Sequence, residues 1–409
     1  LNAYTNHIGK VEGNFNGAVQ LNDKWTTMLL GHAETMQNRI DHNDDSFLDA
    51  PLVTQYNFMN RWKYNGGNHM GQFGFQVLDE QRSGGQVDFR KSDDEGIPTH
   101  YGIGIDTRRY QVWGKTGYIF ENFKETSIGF INSYTWHEQE SFFGMNDYNG
   151  TEESFYSNLI LQSQLGSHRH KYSTGASYNY DGYRQSLNDS AFNRIERVPG
   201  VFLQYTYSNE HNLTALAGIR ADFHNIWGTF YTPRFHVKYN VAPHTIMRAS
   251  AGKGYRTANI IAENTYLLAT SAQLNIAGNI RQEEAWNYGL NLTKIVDIND
   301  RELNISLDFY RTDFENQVVI DRDQDFQQIF IYNLNGESFS NSYQVEAVYE
   351  LIPRLDVVAA FRYSDVQMTY NDELRREPLV NRYKGLLNLS YKTNLEKWQF
   401  DFTTQLNGD

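Results

Sequence analysis

Cysteine is absent from all 409 residues, so neither disulfides nor thiolate–metal sites can hold this chain together. Proline is held to 7. No apolar run of about eighteen residues occurs anywhere, so no transmembrane helix is available. A basic surplus is missing as well. The 36 Lys and Arg face 49 Asp and Glu, a net charge of -13, whereas a general nucleic-acid-binding role needs basic surface. Neither an initiator Met nor a signal peptide precedes Leu1, and we expect a processed or partial product of an exported protein.

What is abundant is aromatic. The chain holds 28 Tyr, 25 Phe and 7 Trp, yet its mean hydropathy is only -0.64. A bilayer leaves no water for backbone N–H and C=O groups, so only helices or closed barrels cross it. A barrel strand needs an apolar residue only at every second position, which keeps hydropathy low, and Tyr and Trp settle in the two interfacial girdles. Composition alone leaves a large soluble β-sandwich or propeller equally open.

Periodicity separates the two. Leu303, Ile305, Leu307 and Phe309 alternate with Asn304, Ser306 and Asp308, and Trp286, Tyr288, Leu290 and Leu292 alternate with Asn287, Gly289 and Asn291. The same period recurs at Tyr343, Val345, Ala347 and Tyr349 and at Leu355, Val357, Ala359 and Phe361. A tilted strand of about 9–11 residues crosses the hydrocarbon, and these segments have that length. Short polar turns are expected at 21–24, 65–68, 122–125, 167–169, 208–211, 241–244, 297–301, 351–354 and 394–397. Longer polar stretches lie between them, at 37–52, 79–108, 257–280 and 321–340. Short periplasmic turns and long extracellular loops mark bacterial barrels. The expected fold is all-β, a transmembrane antiparallel β-barrel filling residues 1–409. About eighteen strands are visible, Ala3–Asn6 ends one earlier ascending strand, and about 22 strands make the closed barrel, the size of plugged transporters.

Two stretches carry possible chemistry. Asp41, Asn43, Asp45, Phe47 and Asp49 follow the alternate spacing of an EF-hand loop, with Phe47 offering its carbonyl, and predict a structural Ca²⁺ site. Ser46 stands where the turn glycine belongs and Leu52 where the bidentate Glu belongs, so Asp44 or a neighbouring loop would complete the shell. The alternative is a solvated acidic loop. His168 and His170 flank a short turn and read as exposed turn residues. Gly252 and Gly254 lie in a strand without the helix a dinucleotide fingerprint requires. No nucleophile elbow or metalloprotease signature is present, and the expectation is a non-enzyme.

Several segments resemble a known family. Asn22-Asp23-Lys24-Trp25-Thr26-Thr27-Met28-Leu29-Leu30-Gly31-His32 looks like the second turn and third strand of TonB-dependent receptors, and residues 38–51 resemble a first long loop. Gln55 to Trp62 looks like the returning strand. Ala251-Gly252-Lys253-Gly254-Tyr255-Arg256-Thr257-Ala258-Asn259 resembles the family's G-x-G-F/Y-R-x-P/A-N segment. The resemblance implies a multi-pass protein of the outer membrane among its lipids. Its N-terminal plug with the TonB box and its closing strands, missing from these residues, are expected in the full-length product. It implies active uptake of a scarce large nutrient, cobalamin or a metal chelate such as a siderophore, driven by TonB through the plug. A surface lipoprotein is a further possible partner. In the family the region of Tyr255, Arg256 and Asn259 faces the lumen and often binds substrate; the structural alternative pairs Arg256 with a neighbouring carboxylate. Haem is disfavoured because residues 257–280 contain no His. Calcium-ordered acidic loops occur in the family's cobalamin receptors, which favours that ligand class. The competing functions are a passive porin-like channel and an outer-membrane enzyme, although enzyme barrels sit toward the small end of the strand range.

Overall fold

The computed structural model describes residues 1–90, 99–123 and 125–408. Among them, twenty strands join into one large sheet and three short strands form a second. In the large sheet each long strand pairs antiparallel with the next long strand along the chain, and the short Glu373–Arg376 pairs back on Leu355–Tyr370. The series runs from Asn2–Thr5 against Val11–Gln20 to Tyr383–Lys392 against Gln399–Gly408. Eighteen of its strands have ten or more residues, the number the turn spacing implies; the other two are Asn2–Thr5 and Glu373–Arg376. Asn2–Thr5 is the expected earlier strand.

The two faces of the sheet differ in chemistry, as a half-buried strand period requires. On one face Leu292, Leu307, Val345 and Phe361 lie directly opposite one another on successive strands. Leu303, Ile305 and Phe309 share that face with Leu307, so all four predicted lipid-facing residues fall on the apolar side. On the other face, Arg248 Nη1 donates to Asn291 Oδ1 at 2.8 Å and Asn291 Nδ2 to Asp308 Oδ1 at 2.8 Å, a ladder that only a wet lumen would accept.

Aromatic rows edge the apolar face. Phe309, Tyr343, Tyr363 and Tyr383 form a chain of rings with centroids 4.9, 6.2 and 6.2 Å apart. At the opposite end Trp25 packs on Tyr64 at 4.9 Å and Trp62 stacks on Phe73 at 6.2 Å, beside two of the short turns. Amphipathic rings belong at such a boundary.

The predicted short turns are present, most of them carrying a residue in the left-handed region, such as Gly67, Glu210, His244, Asn299 and Arg354. One boundary moves. Strand Ser167–Leu187 already includes residues 167–169, and the turn there is Gly166 at φ 72. The long stretches need a larger correction. Residues 79–85 and 102–108 are strand within His69–Gly85 and Gly102–Ile119, and 321–340 contains strand as well. Two outer connections, at 144–145 and 188–189, are tight hairpin turns. Backbone pairing continues above the membrane, where both faces turn polar and periodicity in the sequence no longer reports it. Strands Asn146–Leu165 and Ser167–Leu187 have 20 and 21 residues. Crossing takes about 9–11, so roughly half of each stands outside.

The lipid assignment makes a quantitative claim. Leu307→Arg should cost about 2–4 kcal/mol of barrel stability, the range for a cation near the bilayer midplane. Gln344→Glu, on the wet face between Asp308 and Arg362, keeps the acceptor that Arg362 Nε reaches at 3.0 Å and should stay within about 0.5 kcal/mol. Urea titrations of folding into phospholipid vesicles measure both, and equal costs would reverse the faces.

Candidate functional site

Two long connections fold inward instead of standing free. Beyond Arg256 the chain makes the 3-10 segment Ala262–Ala269 and the strand Gln273–Ile276. That strand pairs parallel with Gln328–Asn333, which pairs antiparallel with Val318–Asp325. Leu267, Ile329 and Ile331 are buried at their junction, at 2%, 3% and 1% exposure. Each such side chain contributes about 1.5–3 kcal/mol. Leu267 and Leu268, 2% and 3% exposed, are therefore the inner side of a cap.

The cap is fastened to the tall hairpins across the mouth. Ile261 and Leu268 pack with Phe143 and Tyr148. Asn146 Nδ2 donates to Leu268 O at 2.9 Å, and Tyr101 Oη to Ala269 O at 3.2 Å. Inside the cap Asp321 is 1% exposed. It accepts hydrogen bonds from Gln324 Nε2 at 2.7 Å, Asp323 N at 3.0 Å and Tyr332 Oη at 3.0 Å. Burial pushes its carboxyl up, but these donors outweigh burial and hold it below the usual carboxylate range.

Beside the cap lies an open cleft of about 620 Å³, lined among others by Arg256, Glu263, Tyr266, Glu283, Arg322, Asp323, Tyr370 and Glu377. Of the three residues predicted to meet substrate, only Arg256 lines it. Its guanidinium is shared between Glu283 Oε2 at 2.5 Å and Glu263 Oε2 at 2.8 Å. Asn259 braces the loop, its N–H donating to Glu263 Oε1 while its carbonyl accepts from Glu263 N, both at 2.9 Å. Tyr255 stacks on Phe230 at 4.4 Å on the barrel wall.

Sequence reading missed Glu263, Glu283, Asp323, Tyr370 and Glu377 because they arrive from separate connections and strand ends. It missed an inner row as well. Arg109, His137, Glu152, Tyr183 and Arg194 lie opposite one another on five successive strands. Arg194 Nε approaches Glu196 Oε1 at 2.6 Å, and His224 Nε2 lies 3.2 Å from Glu196 Oε2. Ionisable residues at alternate positions beyond the first ten of a strand were the available signal.

The acidic loop is arranged around its own backbone. Asp41 accepts from Ser46 N at 2.9 Å, Asp45 from Phe47 N at 2.8 Å, and Asn43 Nδ2 donates to Asp45 Oδ2 at 2.9 Å. Asp49 turns to His42, whose N–H and ring Nδ1 lie 2.9 and 2.8 Å from Oδ2 and hold that carboxyl below its usual range. Among the described residues no three His, Asp or Glu side chains converge as a metal site. As arranged, Asp41, Asn43 and Asp45 stand together while Asp49 is engaged elsewhere.

The family described as TonB dependent receptor-like, beta-barrel, matches residues 25–409. The chain belongs to that family. It is one of outer-membrane transport receptors. Among solved structures the chain is similar to the siderophore receptor PirA from Pseudomonas aeruginosa, with 11% identity and a TM-score of 0.70 over 98% of this chain and 68% of that one. The receptor FpvA of the same organism, bound to heterologous pyoverdines, matches at 12% identity and TM-score 0.72, over 98% of this chain and 60% of that one. The alcaligin receptor FauA from Bordetella pertussis gives 12%, 0.68, 99% and 67%. Such likeness shows the fold alone, and the chain spans about two thirds of these receptors' length. Comparison with curated proteins finds no match.

Asp321 allows the cap to be tested apart from the barrel. Asp321→Ala should remove the buried carboxylate that three donors share and cost the cap about 1.5–3 kcal/mol, the range for hydrogen bonds to a charged group. Hydrogen exchange across residues 318–333 should then quicken roughly ten- to a hundredfold while the barrel strands keep their protection. The native carboxyl's depressed pKa stabilises the cap fully above the ordinary carboxylate range. That contribution should fade as pH falls below it, and exchange in this segment independent of pH, once corrected for intrinsic rates, would refute the account.

Proposed function

We propose that this chain forms the channel of a receptor that captures a ferric siderophore-type chelate at the cell surface and passes it inward using energy relayed by TonB. The observation that carries the reading is the cleft beside a cap packed over the mouth of a family barrel, with Arg256 in its wall and Tyr255 and Asn259 supporting that wall. A cleft of this size suits a small chelate. The structural neighbours named for siderophores support the metal-chelate half of the expectation; no feature of the cleft favours cobalamin. A passive porin would leave its mouth open rather than bury Leu267 and Ile331 above it.

The full-length receptor, expressed in a strain lacking its own chelate receptors, should restore radio-iron uptake from a siderophore. A protonophore should abolish that uptake, because the outer membrane holds no energy source of its own. Uptake that continues at full rate under protonophore would establish a passive channel.

Calcium belongs to the same proposal. Asp41, Asn43, Asp45 and the Phe47 carbonyl would begin the shell, and Asp49 would join only by leaving His42. The cation would supply charge neutralisation for the loop. Calorimetry of the purified receptor should show calcium binding that tightens in His42→Ala, which releases Asp49, and weakens in the double change Asp41→Asn, Asp45→Asn. No calcium heat in any of the three proteins would make the loop merely acidic.

A further inference from the structure

We propose that the mouth cleft selects ligands of neutral or positive net charge and discriminates against anionic ones. This rests on the chelate-uptake reading and narrows its substrate class. Four carboxylates, on Glu263, Glu283, Asp323 and Glu377, line the cleft against two guanidiniums, on Arg256 and Arg322; from outside the lining Arg375 Nη1 comes within 3.9 Å of Asp323, and Tyr370 Oη donates to Glu377 at 2.7 Å. Arg256 has little to offer an anion. Its nitrogens lie 2.5 and 2.8 Å from Glu283 and Glu263, and a ligand carboxylate or catecholate would have to displace both.

A second observation points the same way. Gln282 and Asn316, next in sequence to the lining residues Glu283 and Gln317, are 4% and 6% exposed. Their amide nitrogens are occupied: Gln282 Nε2 donates to Thr257 Oγ1 at 2.8 Å, and Asn316 Nδ2 to Gln282 O at 2.6 Å. Gln282 Oε1 and Asn316 Oδ1 remain buried without a hydrogen-bond partner among the described residues. Neither amide lines the cleft; the two oxygens form an acceptor-only backing behind the wall that carries Glu283 and supply no donor there for an anion. Tyr266, at 56% exposure, presents a ring to the cleft, and a ring face attracts cations.

The inner wall of the tall hairpins is also rich in carboxylates. On the inner face of the tall hairpins Asp181 pairs in register with Glu196, and Glu152 lies one strand away opposite Tyr183. Arg109 and Arg194 are the cations of that row, and Arg194 is held by Glu196 and stacked 4.8 Å over Tyr183. This part of the inner wall thus carries three carboxylates, on Glu152, Asp181 and Glu196, beside two guanidiniums, with His224 Nε2 3.2 Å from Glu196 Oε2.

The test uses the full-length receptor in detergent at low ionic strength. Its probes are a linear ferric trihydroxamate bearing a free ammonium and a trianionic ferric tris-catecholate, with binding followed by tryptophan quenching. The cationic trihydroxamate should bind at least roughly tenfold more tightly, and added salt should shrink the gap by screening. Equal or tighter binding of the tris-catecholate overturns the proposal while leaving chelate uptake intact. Binding of neither probe overturns the chelate reading, and this proposal with it. The double variant Asp323→Asn, Glu377→Gln, checked for an unchanged melting temperature, should narrow the gap severalfold, and a gap that does not move would remove the cleft from the assignment. If that variant fails to fold, the comparison on the native receptor decides alone.

Discussion

Inside a bilayer a peptide group has no water to fall back on, so every N–H and C=O must find its partner in the protein. The molecule meets that demand with neighbouring strands alone. Each long wall strand pairs with the next in chain order, and the alternation of side chains then follows automatically, one face to lipid and one to the lumen. The absence of cysteine and the scarcity of proline follow from the same constraint. A wall held by continuous ladders needs no covalent staple, and a residue without an N–H breaks a ladder wherever it falls.

Above the membrane the demand relaxes, yet the ladders continue. Strands of 20 and 21 residues carry the wall roughly twice as far as the hydrocarbon requires. The extra height has a structural consequence. It provides Phe143, Tyr148 and Asn146 at a level where the connection after Arg256 can reach across and pack on them. Among the described residues, the buried apolar clusters all lie at this outer end. A barrel wall by itself buries little, because its outer face is covered by lipid. The part that behaves like an ordinary globular core is the cap, and hydrophobic burial away from lipid operates there.

This division explains what was legible in the sequence. Leu303, Ile305, Leu307 and Phe309 announced their face because lipid imposes period two without exception. The turns at 21–24 and 351–354 announced themselves by composition. Residues 79–85 and 102–108 did not, since once both faces of a strand are wet, alternation disappears while pairing persists. The cap was hidden for another reason. Gln273–Ile276 finds its partner in Gln328–Asn333, and no local pattern records a pairing over fifty residues away. The run Tyr266-Leu267-Leu268-Ala269 was the one local clue, too apolar for a solvated loop. Arg256 was visible as part of a family segment, whereas Glu263 and Glu283, which fix its guanidinium, gained meaning only from the fold.

The placement of charge also follows from this geometry. A carboxylate on the lipid face is expensive, and one on a free loop is cheap and unspecific. A carboxylate at the rim, between a rigid wall and a packed cap, is held in place without being fully desolvated. Glu283 on the wall and Glu263 on the cap segment share Arg256 across that boundary, so the ion pair sets the position of the cap relative to the strand it leaves. Because surface ion pairs contribute little alone, the pair acts here as a positioning device, with Leu267, Leu268 and their apolar neighbours supplying the stability. Whatever ligand enters therefore meets a site whose shape is set by hydrophobic packing and whose charge is set at the rim. Two features with different physical origins can vary independently while the wall beneath them stays the same.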